Sequence, residues 1–98
     1  MNKEMEEFRK IVQEMIDLKE KKAGDYGQTW KIFGLPGIYP LIAKKFARLW
    51  INKDKPAVNL NYESLRDTFI DMAVYSIMAV QLMDSGETED KMSKLING

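Results

Sequence analysis

The sequence predicts a small all-α bundle of three main helices plus a short C-terminal helix, and three observations lead there. Apolar residues recur three and four apart over three long stretches, the repeat that buries one side of a 3.6-residue helix. Glycine and proline gather in the segments between those stretches, where they interrupt helices. The 98 residues contain no internal repeat, low-complexity run or composition break, so one domain over 1–98 is expected, with a core at 4–84 and a short tail at 87–98.

The first helix is placed at residues 2–22 by Met5, Phe8, Ile11, Val12, Met15, Ile16 and Leu18, with Gly24 ending it. Gly27, Gly34, Pro36 and Gly37 break up 25–39, so that segment is expected to be a structured loop holding one helical turn around 29–33. Pro40 suits the first position of the second helix, where its missing N–H costs nothing, and Leu41, Ile42, Phe46, Leu49 and Trp50 supply an apolar face as far as Asn52. A polar turn closes on Pro56. Asn61 then offers an N-cap, and Glu63 lies in the first turn of the third helix, where the dipole favours negative charge. This helix is expected to run to about Asp84 and stop at Ser85-Gly86. Thr88 is the expected cap of the tail helix, with Met92, Leu95 and Ile96 on one side.

The third helix is apolar nearly all round, from Leu65 to Met83, the composition of a helix buried on several sides. A chain this short buries only about two-thirds of its unfolded surface, so two other helices can hardly cover it. The expectation is a homo-oligomer in which another subunit takes the remaining face.

Composition excludes several functions. With no cysteine and no histidine, there is no thiolate or imidazole metal site, no cysteine nucleophile and no histidine base. Fifteen basic and fifteen acidic side chains give zero formal charge, so nucleic acid is a poor partner and any charge-based function is local. The acidic N-terminal residues lack the apolar run of a secretory signal, and the most apolar stretch, 72–83, is far short of a bilayer span. A cytoplasmic protein with no membrane partner is expected.

The residues that can carry chemistry are carboxylates and bases. Glu63, Asp67 and Asp71 are four apart, so each step turns only about 40° and the three line one edge of the third helix. Like charges at that spacing disfavour the helix by a few tenths of a kcal/mol per pair. Asp71 sits within Phe69-Ile70-Asp71-Met72-Ala73, where an unpaired buried carboxylate would cost several kcal/mol, so it requires a cation. Lys44, Lys45 and Arg48 on the second helix can provide one as a salt-bridge ladder, and Mg²⁺ bound by the carboxylates is the other possibility. Glu14 and Asp17 fit the solvated side of the first helix, and Asp25-Tyr26-Gly27 fits a capped turn. Tyr26 and Trp30 fit core or interface aromatics.

Taken together, Lys22-Ala23-Gly24-Asp25-Tyr26-Gly27 with Trp30, Lys45 with Arg48-Leu49, Glu63-Ser64-Leu65-Arg66-Asp67-Thr68, and Asp71-Met72-Ala73-Val74-Tyr75 form a pattern. It resembles the nucleotide modification associated domain type 1 pattern, over about residues 8–83. That domain is similar in outline to the all-α nucleoside triphosphate pyrophosphatases of the MazG type, which bind Mg²⁺ through acidic motifs and cleave between the α and β phosphates. The resemblance implies a nucleotide substrate from phage or bacterial DNA-precursor metabolism. It also implies Mg²⁺ held by Asp67 and Asp71 with Glu63 assisting, these three being the catalytic residues, and substrate contacts from Lys22, Asp25, Tyr26, Lys45 and Arg48. The chain departs from MazG enzymes on the second helix, where Lys44-Lys45-Phe46-Ala47-Arg48 replaces an acidic motif. Further metal ligands would then come from Glu14, Asp17 or Asp25. The competing expectation is a non-catalytic dimeric interaction module whose charges form internal ion pairs.

Overall fold

The computed structural model describes residues 2–21, 29–55 and 62–97. They form a small all-α bundle: α1 (Lys3–Lys21), α2 (Thr29–Ile51), α3 (Tyr62–Ser85) and α4 (Lys91–Asn97), with no strand among the described residues. The expected positions of the first and third helices agree with α1 and α3 to within a residue at each end. The Asn61 cap lies outside the described residues.

Both ends of α1 are built from its own sequence. The Glu4 N–H donates to Asn2 Oδ1 at 2.8 Å, capping the helix, and Glu4 and Glu6 occupy the first turn while Lys19 and Lys21 occupy the last. Each charge lies at the end of the helix dipole that favours it.

The second helix departs from expectation. Helix extends through Thr29–Ile51, broken only at Gly34 (φ 66°, ψ −158°). The turn expected around 29–33 is therefore the first segment, but the rest of the expected loop is helical and Pro40 is not the helix start. Pro36, in the first turn after Gly34, fills that role, since its absent N–H has no partner to lose. Pro40 follows one turn later, and both prolines are exposed, so water can satisfy the Pro36 carbonyl that Pro40 cannot. At the far end, the Asn52 side-chain amide donates to the Arg48 carbonyl at 2.8 Å.

α3 ends as expected at Gly86, whose φ is 77°. The Gly86 N–H donates to the Met83 carbonyl at 3.3 Å and the Glu87 N–H to the Leu82 carbonyl at 3.0 Å, the pair of bonds that closes a helix through a left-handed glycine. α4 is capped by Asp90, whose Oδ1 accepts from the Met92 N–H at 3.0 Å, rather than by Thr88. Thr88 stands three residues before the helix start, and its carbonyl accepts from the Leu35 N–H at 3.0 Å. This bond fastens the post-α3 segment to the α2 kink. Gly34 is required there twice over: its φ is left-handed, and an added Cβ would stand 2.7 Å from the Thr88 carbonyl oxygen and 2.6 Å from the Glu89 carbonyl carbon.

The core lies on the α2–α3 seam. Ile70, Val74, Met78 and Leu82, four apart on α3, are buried with Ile38 of α2. Leu41, Ile42, Trp30, Tyr75 and Ala79 pack around them, and Met15 and Leu18 reach in from α1. No residue of α1 is itself buried. Among the described residues α3 is covered by α2 and, less closely, by α1, and Phe69, Ile77, Val80 and Met83 stay exposed. The molecule is long, with extents of 51 × 36 × 22 Å and a radius of gyration of 16.1 Å. Among the described residues no helix is long and apolar enough to cross a membrane.

Candidate functional site

Lys45 belongs to the buried side of α2. Ile38, Leu41, Ile42, Lys45 and Leu49 follow the three-and-four spacing that turns one stripe toward α3. Asp71 lies on the opposing part of α3, one residue after buried Ile70. Lys45 Nζ stands 2.9 Å from Asp71 Oδ2, with the side chains 23% and 20% exposed. The cation that Asp71 requires is therefore Lys45. The pair is partly buried at the seam but still reached by solvent.

Around it, Asp67 lies one turn nearer the start of α3 and is exposed, as are Lys44 and Arg48 on α2. Arg48 is engaged in interactions of its own. Glu63 is placed on the first turn of α3, but its side chain lies outside the described residues, as do Lys22, Asp25 and Tyr26. Among the described residues no three acidic side chains gather as a metal cage.

A second ion pair joins α3 to α1. Arg66 Nη1 and Nη2 donate to Glu14 Oε1 and Oε2 at 2.7 and 2.6 Å, the two-pronged geometry that makes guanidinium–carboxylate pairs directional. The hydrogen bonds from Arg66 hold the Glu14 carboxyl below the usual glutamate range; desolvation opposes this and the guanidinium charge adds to it. Sequence reasoning left Glu14 on a solvated face and gave Arg66 no role. One signal was available: Arg66 shares its side of α3 with Ile70 and Ile77, and a base among apolar neighbours calls for an acid. Asp17, the other acid proposed on that helix, accepts from the Gln13 side-chain amide at 3.0 Å.

Trp30 packs against the core, with Lys19 Nζ 5.3 Å and Lys31 Nζ 5.7 Å from its ring centroid. Its π-face is thus met by ammonium groups. Thr68, 1% exposed, is buried beside the Asp67–Asp71 turn. No buried side-chain nitrogen or oxygen among the described residues lacks a hydrogen bond. Between α1 and α3 runs an apolar groove of about 230 Å³, lined by Val12, Met15, Ile16, Val74 and Ile77 with Lys19, Glu20 and Gln81 at its polar edge. Among the described residues, the candidate charged side chains of the α2–α3 seam, Lys44, Lys45, Arg48, Asp67 and Asp71, do not line it.

Comparison with known proteins bears on this arrangement directly. The profile described as nucleotide modification associated domain 1 matches residues 22–83. No curated protein and no solved structure matches significantly. The matched stretch contains the Lys45–Asp71 pair, Asp67 and Arg48, and covers well over half of the 98 residues. The chain belongs to the nucleotide modification associated domain 1 family.

Proposed function

We propose that this domain binds nucleoside phosphates at the α2–α3 seam, with Lys45 and Arg48 meeting the phosphates and Asp67 and Asp71 facing the accompanying Mg²⁺. The observation that carries the reading is the Lys45–Asp71 pair, a complementary charge couple at 2.9 Å that solvent, and so a ligand, can reach. Family membership supplies the nucleotide link.

The described acids fit Mg²⁺ in one specific manner. They make no dedicated cage, but Mg²⁺ that arrives on a phosphate retains waters and needs only one or two carboxylates, which Asp67 and Asp71 provide. Bound there, Mg²⁺ would neutralise phosphate charge and favour attack by water. Lys45 can leave Asp71 for a phosphate oxygen only if that carboxylate gains another positive partner, so nucleotide and cation bind together. Arg48, one turn along α2, adds a second charged donor for phosphate. In this reading Glu63 assists the two aspartates, and Lys22, Asp25 and Tyr26 complete the substrate side. Its most concrete form is hydrolysis between the α and β phosphates, as in MazG-type enzymes.

A non-catalytic interaction module is the second reading, and one observation favours it. The Lys45–Asp71 pair already satisfies two of the charges that a ligand would need, and Arg66–Glu14 is a second cross-helix pair of the same internal kind. The test incubates the purified protein with Mg²⁺ and a panel of deoxynucleoside triphosphates. Formation of monophosphate and pyrophosphate, or a Mg²⁺-dependent rise in melting temperature with nucleotide, is expected, and Asp71→Asn should abolish it while remaining helical. No turnover and no thermal shift with any nucleotide would leave the second reading standing.

A further inference from the structure

The side of α3 turned away from the core is apolar and open. Phe69, Ile77, Val80 and Met83 are 56%, 47%, 53% and 59% exposed. Phe69, Val80 and Met83 fall opposite the buried Ile70–Val74–Met78–Leu82 row, Ile77 lies at the edge of that side where it lines the groove against α1, and from 69 to 83 they span about 21 Å of helix. The other residues between them on that side are Met72, Ala73 and Ser76, so no charge interrupts it. Arg66 and Asp84 flank it at either end.

α1 extends the same problem. Glu14 meets Arg66 four residues into α3, and Lys19 and Glu20 line the groove with Gln81, so α1 and α3 run in the same direction. Met5 and Phe8, 43% and 60% exposed, lie about two and a half and one and a half turns before Glu14. That stretch of α1 reaches past the start of α3.

The total area agrees with these exposures. A compact monomer of 11.4 kDa has an accessible surface of about 5,800 Å², whereas this chain exposes 7481 Å². The excess is about 1,700 Å², and a standard protein–protein interface buries only about 800 Å² on each partner. The radius of gyration agrees: 16.1 Å against about 13 Å for a compact chain of this length.

We propose that a second copy of this chain covers the open side of α3, through Phe69, Ile77, Val80 and Met83, joined by Met5 and Phe8 of α1. Chemistry favours a copy of itself over a different partner. The face carries no charge, so an identical face can meet it across a two-fold axis without like-charge repulsion. The formal charge of zero gives two copies no net repulsion. The groove between α1 and α3 opens beside this face, since Ile77 belongs to both, and offers a place for an apolar side chain of the second copy. Among the exposed aromatics of α2, which also include Phe33 and Tyr39, Phe46 and Trp50 form a separate pair. They stack on each other at 6.0 Å, and Lys53 Nζ lies 4.8 Å from the Trp50 ring centroid.

The experiment is sedimentation equilibrium of the full chain from micromolar to hundreds of micromolar, with melting temperature measured over the same range. Twice 11.4 kDa and a melting temperature that rises with concentration are expected, because association stabilises the folded state by mass action. Val80→Lys and Phe69→Lys should sediment as single chains and lose the concentration dependence. Trp50→Lys, equally exposed but off the surface, should keep the doubled mass. A wild-type chain of single mass whose melting temperature ignores concentration would overturn the proposal, whatever else then covers the face. So would doubled mass in both α3 variants. The wild-type measurements stand even if a lysine variant fails to fold.

Discussion

At the residue scale the two cross-helix ion pairs differ in kind. Lys45–Asp71 is about one-fifth exposed on each side, between surface pairs worth under about 1 kcal/mol and buried ones whose breakage costs about 3–5 kcal/mol. Asp71→Asn is expected to cost about 1–3 kcal/mol in urea unfolding, because Lys45 is left beside the apolar seam. Pairing it with Lys45→Met should recover most of that loss, and a double mutant as unstable as the sum of the singles would refute the coupling. Glu14–Arg66 is open to water and reports through pH instead. Because the folded-state carboxyl is held below its unfolded value, its contribution is complete above the ordinary glutamate range and fades as pH falls through the lowered value. Thermal melts from neutral pH into acid should show this loss, and Glu14→Gln should flatten that part of the profile. That Asp71 needs a cation was legible from its apolar neighbours. Which base answers it was not, because Lys45 is singled out only once α2 is seen to begin before Pro40, which puts Ile38, Leu41, Ile42 and Lys45 on one stripe. The Arg66–Glu14 fork, between residues 52 apart, left only a faint local trace.

Among the elements, the ends of α1 and α3 were legible because local groups set them: Asn2 caps one and Gly86 closes the other. The start of α2 was not. Pro36 and Pro40 both suit a first turn, and the choice is made by Gly34, whose backbone meets the Thr88–Glu89 backbone from beyond α3. No nearby residue announces such a contact. The two left-handed glycines therefore make unequal predictions. A Cβ at Gly86 meets nothing within 4 Å, so Gly86→Ala should cost only the conformational penalty of about 1–2 kcal/mol. Gly34→Ala adds a backbone collision, and its loss of stability in chemical unfolding should be the larger of the two. Equal losses would mean that the kink and the post-α3 segment are not packed as described.

For the whole molecule, the all-α class followed from periodicity and the open side of α3 from its nearly all-round apolar composition, whereas what meets that side did not, because periodicity shows that a helix has an apolar side without showing its neighbour. α2 and α3 share the core, while α1 contributes no buried residue. Local stability follows buried contacts, so amides of α1 near Met5 and Phe8 should exchange with deuterium well before those of α3 near Met78. Simultaneous exchange would show that α1 is held as firmly as the core. The Leu35–Thr88 hydrogen bond joins residues more than half the chain apart. Closing so long a loop is entropically costly before the intervening helices dock, so this clasp forms late, on the native side of the folding barrier. Weakening it should leave the refolding rate nearly unchanged and quicken unfolding, making the segment after α3 a latch on how long the folded chain lasts.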